Sequence, residues 1–184
     1  MKVSRAVVSI CLCLLSVATV GQTNANQKST KVDSTPASLL GPADVANILP
    51  ASVFFRGQSA PVQNRNSGGV RFEDKSLMLV SLVDNSGYSS QIQEKYQAYL
   101  ITESALDIDG HRLAPGAYGC GFLNDSSFVV MDIGGHDLFT AHAIHDGELH
   151  RPTPLQVMAA PNGQGRYRLY AGRNFVNFGL ATGK

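Results

Sequence analysis

The sequence predicts a mainly β fold, a single antiparallel β-sandwich with one short N-terminal helix; the alternative is a small antiparallel β-barrel. Three observations carry that prediction. Short runs rich in β-branched and aromatic residues recur along the chain, among them SVFFR at 52–56, LMLVSLV at 77–83 and FVVMDI at 128–133. Clusters of Gly, Asn, Asp, Ser and Pro, mostly of hairpin length, separate these runs and give about eight or nine strands. In the middle of the chain Asp109-Gly110 lies between two strand-like runs, and this dipeptide suits a type I′ turn, which needs positive φ at both central positions.

The first 25 residues stand apart from the fold. Lys2 and Arg5 make a positive start, residues 6–20 carry no charge, and Thr23-Asn24-Ala25 puts small residues before a cleavage point. This is the three-part order of a secretory signal peptide over 1–25, and its apolar stretch falls short of the about 20 residues a membrane span needs. Cys11 and Cys13 lie inside that stretch behind Ile10 and Leu12, so neither has the position of a lipid-bearing cysteine. Lys2 and Arg5 are the only charged residues in 1–25, so cleavage leaves 13 of the 15 basic side chains against 14 acidic ones. A nearly neutral chain has no positive field to draw in a phosphate backbone, so no nucleic acid partner is expected, nor a polybasic membrane anchor. Cys120 is then the one cysteine left, with no intrachain disulfide partner, and stability has to come from the core. A composition 43% hydrophobic and 16% charged suffices for one domain, placed at 41–184.

Taken in order, residues 26–40 are rich in Gln, Ser, Thr and Lys with little to bury, and read as a disordered linker. Val45, Ile48 and Leu49 line one face of the short helix, which Pro50 ends. The strand at 52–56 stops in a loop at 57–61, and NRNSGG at 64–69 reads as another loop because Asn and Gly tolerate positive φ. Val70-Arg71-Phe72 then leads to a hairpin tip at Glu73-Asp74-Lys75. The run 77–83 is apolar at both parities, which places it at the centre of a sheet with both faces covered. After a loop at 85–90, Ser89 or Ser90 caps a single helical turn bearing Ile92 and Tyr96. Tyr96, Ala98, Leu100 and Thr102 share one strand face, and the strand signal runs on toward Ile108. Beyond Asp109-Gly110, Tyr118, Cys120 and Phe122 share one parity while Gly119 and Gly121 occupy the other, a glycine face that lets a backbone or a large ring pack close. Strands follow at 128–133 and 138–144, and Pro152 and Pro154 break the chain before 155–159. RYRLYA at 166–171 and the run 175–180 form a C-terminal hairpin, with Tyr167 and Leu169 facing one way and Arg166, Arg168 and Tyr170 the other.

Ligand-type side chains cluster only at 136–150, which holds His136, Asp137, His142, His145, Asp146, Glu148 and His150. Neutral imidazole suits zinc or copper, and the candidate metal ligands are His142, His145 and His150; a bend near Asp146-Gly147 would bring His142 and His150 across a hairpin, and His142 and His145 become neighbours only where the segment is helical or bent. On a straight strand His136 and His142 stand about 20 Å apart, too far to share an ion. A metal-dependent enzyme using zinc or copper on this segment is the alternative to a domain with no cofactor. Cys120 sits mid-strand on the face of Tyr118 and Phe122 and reads as core filler, not as a nucleophile. The sequence has neither a Gly-x-Ser-x-Gly elbow nor a phosphate loop, so no catalytic residue is expected. Arg166, Arg168, Arg173 and Tyr170 make a modest basic and aromatic edge, either for an anionic ligand, peptide or glycan or as an ordinary solvated face.

At 113–119, LAPGAYG, the chain resembles exported bacterial β-proteins whose strand-turn-strand carries a Leu-x-x-Gly-x-Tyr core. Residues 48–72 and 167–178 also resemble small exported bacterial proteins with no assigned activity. The resemblance implies fold and compartment and carries over no functional residue. The expectation is a secreted or periplasmic, non-catalytic β-domain that binds a protein, glycan or small ligand through an edge strand or end loops, or that serves as a structural envelope module. No transmembrane segment is expected after signal cleavage.

Overall fold

The structure, a computed structural model, describes residues 36–124, 126–163 and 165–183. The expected signal peptide at 1–25 lies outside the described residues. Two antiparallel sheets pack face to face without closing into a barrel, which is the expected sandwich. The first runs in the order β1 (Ser38–Leu40), β3 (Gln58–Arg71), β4 (Leu77–Val83), β5 (Ala98–Thr102), β8 (Gly116–Phe122), β9 (Ser127–Met131) and β10 (Asp137–His142), with β2 (Ser52–Phe55) paired to β3. The second runs β12 (Gln156–Ala159), β13 (Arg166–Ala171), β14 (Asn174–Leu180), β6 (Leu106–Ile108) and β7 (His111–Leu113), with β11 (Ile144–His145) against β14. Two short helices, α1 (Pro42–Ala46) and α2 (Ser90–Lys95), complete the described elements, where the sequence led us to expect one N-terminal helix and a single capped turn.

The strands outnumber the eight or nine expected because the chain changes sheets in mid-run. The continuous strand signal from Tyr96 to Ile108 is split: β5 ends at Thr102, and β6 begins at Leu106 in the other sheet. Within that link Thr102 Oγ1 donates to the Ser104 carbonyl at 2.6 Å. β6 and β7 then form the Asp109-Gly110 hairpin as expected, with φ of 44° and 89° at the two turn residues. The return to the first sheet passes through Ala114 and Pro115, where the Tyr118 hydroxyl donates to the Ala114 carbonyl at 2.9 Å. A Cβ on Gly116 would sit 3.0 Å from that hydroxyl, so Leu-x-x-Gly-x-Tyr spells a crossover tied down by its own tyrosine.

Between the sheets lies the main core, with Val80, Leu100, Cys120 and Val130 from the first and Leu106, Ile108, Leu169, Val176 and Phe178 from the second. The first sheet is covered on its other face as well. There Val45 of α1 and Leu49 of the turn after it pack with Leu79, and the β2–β3 hairpin with α2 brings Phe55, Tyr88, Ile92 and Tyr96 down on Val129 and Met131. This is why β4 is apolar at both parities. It is also why β8 carries glycine on one face. The rings of Phe55 and Tyr96 stack 3.8 Å apart, and a Cβ on Gly119 would fall 2.5 Å from the Phe55 ring and 2.9 Å from Tyr96. A Cβ on Gly121 would collide with the Lys95 carbonyl.

Three expectations are corrected. Of the loop expected at 57–61 only a tight turn at Arg56-Gly57 remains, and Gln58 to Pro61 open β3 in pairing with β2. Residues 38–40, assigned to the linker, form β1, because Ser38, Leu39 and Leu40 find partners in Arg71, Val70 and Gly69 at the sheet edge. Residues 64–69 belong to β3 and are not a loop. The extra residues between Val62 and Ser67 are absorbed as an irregularity in the β3–β4 pairing, with Ser67 Oγ bonded to the Asn64 carbonyl at 2.7 Å. Gly68 and Gly69 serve packing there, since a Cβ would meet Val157 at the first and the Met78 carbonyl at the second.

Gly119→Ala is expected to lower stability by about 1–3 kcal/mol through overpacking of the Phe55–Tyr96 stack. Gly121→Ala should cost more, because its obstacle is backbone and cannot turn aside. Urea denaturation at fixed pH measures both, and an unchanged midpoint for either would contradict the close packing.

Candidate functional site

The histidine-rich segment passes from β10, an end strand of the first sheet, into β11, which pairs with β14 of the second. His142 ends β10, exposed, opposite Ser127. His145 lies on β11, where its Nδ1 donates to Asn174 Oδ1 at 2.9 Å. His150, exposed, follows in the connection to β12 and lines a hollow of about 510 Å³ with Gln156, Met158 and Arg168. Among the described residues no three His, Cys, Asp or Glu side chains form a group able to hold a metal ion, so His142, His145 and His150 are not brought together as one. The two other histidines described are also placed apart, His136 against Asp132 at 3.0 Å and His111 stacked on Phe139 at 4.7 Å.

The arginine and tyrosine edge has become a latch for this segment. The Asp146 carboxylate accepts from the Tyr170 hydroxyl at 2.8 Å and faces Arg168 Nη1 at 3.6 Å. The Arg168 guanidinium lies 4.1 Å over the Phe175 ring. Arg173 Nη1 donates to the Gly147 carbonyl at 3.0 Å, and the Asp146 N–H donates to the Arg173 carbonyl at 2.8 Å. The Tyr170 hydroxyl, with the Glu148 N–H and the Arg168 charge, holds the Asp146 carboxyl below its ordinary range against the opposing effect of burial. Strand parity put these side chains on one face, but only the chain's return over that face shows that they are already occupied.

The larger concavity lies where β1 of the first sheet meets the ends of β12, β13 and β14. It encloses about 1130 Å³, with Leu39, Phe72, Tyr167 and Leu180 as apolar walls and Glu73, Asp107 and Arg166 as charged ones. Phe72 meets Tyr167 edge to face at 5.8 Å, and Tyr167 leans on Phe178 at 5.6 Å, so the floor is fixed by the core beneath it. On the rim Arg166 Nη1 reaches Asp107 Oδ1 at 2.6 Å. The reach spans a whole strand: Arg166 pairs with Gly179 and Gly179 with Asp107, and a Cβ at 179 would stand 3.1 Å from Arg166 Cδ. Burial, and then the Glu73 charge, raise the Tyr167 hydroxyl above its ordinary range, so it stays protonated at neutral pH. The sequence marked Glu73 as a hairpin tip and Asp107 as a strand residue. Asp107 reaches Arg166 through the pairing of β6 with β14, and Glu73 comes from the other sheet beside Phe72, which meets Tyr167; no local signal announces either.

Cys120 is buried in the inter-sheet core, as its parity indicated, and burial pushes its thiol up to about 12. Iodoacetamide should therefore label Cys120 slowly in the folded chain and quickly in urea, read by peptide mass; fast labelling of the folded chain would overturn this placement. For the latch the sign follows from a lowered carboxyl pKa. Its stabilisation is present above the ordinary carboxylate value of about 4 and is lost as pH falls through the lower folded value. Asp146→Asn is thus expected to be less stable than the parent at pH 7 in urea denaturation, with the gap narrowing as pH falls below about 4. A gap that stays constant with pH would show that Asp146 is not held as described.

Comparison with models of protein families, with curated proteins and with solved structures finds no match for this chain.

Proposed function

We propose that this chain is an exported, secreted or periplasmic, non-catalytic binding domain whose ligand occupies the cleft between β1 and the ends of β12–β14. The observation that carries this reading is the construction of the cleft. Ligand sites are concave and largely apolar with a few placed polar groups. Here Phe72, Tyr167, Leu39 and Leu180 provide the apolar walls, while Arg166, Asp107 and Glu73 stand at the margin. The chemistry available suits recognition. Arg166 and Asp107 are engaged with each other, and the raised Tyr167 hydroxyl is neither a ready base nor a nucleophile. Export is supported by the signal-like order of residues 1–25.

The test is an NMR screen of the purified chain against a fragment collection. Bound fragments are expected to shift Leu39, Phe72, Tyr167 and Leu180 together. Leu39 is 46% exposed, so Leu39→Glu can be made without disturbing the core, and it should weaken binding about fivefold. Fragments that shift other parts of the molecule, or that emerge chemically changed, would refute the reading.

A further inference from the structure

We propose that the cleft takes an extended polypeptide segment as an added strand, one that carries a basic residue next to an apolar one. This rests on the cleft being the ligand site. β1 ends the first sheet on one side, as β10 does on the other, and β12 ends the second opposite β7, so the outer backbone groups of β1 and β12 have no strand to pair with among the described residues. Both strands border the cleft, through Leu39 and Ala159. A row of free N–H and C=O groups is a template for another main chain, and a peptide is the ligand class that satisfies such a row group by group.

The walls below and beside these edges suit the alternation of an extended peptide, whose successive side chains point to opposite sides. One set reaches the floor formed by Phe72, Tyr167 and Leu180, and the next points to the rim. At the rim the charges do not cancel. Asp107 is neutralised by Arg166, whereas Glu73 has no ion-pair partner among the described residues. The surplus negative charge favours a Lys or Arg on the incoming strand. A glycan fits less well, because Phe72 at 3% and Tyr167 at 7% exposure leave no open ring face on which a sugar could stack. An amphiphile would use the floor and leave both strand edges bare.

The test is selection of the purified chain against a random library of capped peptides of about eight residues, the length of a long strand. Enriched sequences should alternate apolar and polar residues and contain Lys or Arg beside an apolar position. In NMR they should shift the amides of Leu39 and Ala159. N-methylating every second amide should abolish binding, and Glu73→Gln should weaken it about threefold. Enriched peptides without a basic residue, or N-methylated copies that bind equally well, would overturn the inference. Decanoate and cellohexaose serve as the other probes. If one of them shifts the cleft while no peptide is enriched, strand addition fails and the binding site stands. If no probe shifts the cleft, both fail.

Discussion

A pair of stacked rings lying on a glycine fixes the architecture. Phe55 comes from the β2–β3 hairpin and Tyr96 from the end of α2, and both rest on Gly119 in the middle of the first sheet. Glycine within a strand costs roughly 0.5–1 kcal/mol against alanine, whereas burying an aromatic side chain of this size contributes about 1.5–3 kcal/mol. The ring burial wins, and it explains why a strand at the heart of a sheet gives up side chains on one side. With that face sealed by the hairpin and both helices, the first sheet has little open surface. The concavities lie elsewhere, at the end of the sandwich between β1 and β12–β14 and beside Arg168 on the second sheet.

On the second sheet the arginines are divided between two tasks by small differences of position. Arg168 and Arg173, near the β13–β14 turn, hold the segment that begins at Asp146. Arg166, at the other end of β13, crosses Gly179 to Asp107 and borders the cleft. An edge that reads as a basic patch therefore carries little free positive charge, and the local imbalance of charge is negative, at Glu73. Surface ion pairs add little to stability. Their effect here is to decide which groups remain available to a partner.

Much of the fold was legible in the sequence, and the parts that were not share a cause. The Asp109-Gly110 turn, the doubly apolar β4, the parity of the C-terminal hairpin and the glycine face of β8 are each set within a few residues, so pattern alone reveals them. The loop expected at 64–69 failed because glycine has two uses, positive φ and close approach, and Gly68 and Gly69 have the second. The linker expected up to residue 40 failed because β1 is held by pairing with β3, about thirty residues on, and not by its own composition. The candidate site was the least legible part. Tyr167 and Arg166 stood out by parity, but Phe72, Glu73, Asp107 and Leu39 join them only through strand neighbours far apart in the chain. The histidine segment drew attention by composition, which carries no information on convergence.

The crossovers have a kinetic consequence. The second sheet is assembled from 106–113 and from 144–180, while the residues between them, 116–142, belong to the first. Neither sheet can be completed from one stretch of chain, and β6 cannot find β14 until some seventy residues have been ordered around it. Folding rates fall as the sequence separation of native contacts grows, because loop closure comes before the contacts that reward it. Such separations favour slow folding, and until β14 arrives the edge of β6 that it covers stands open to whatever is near.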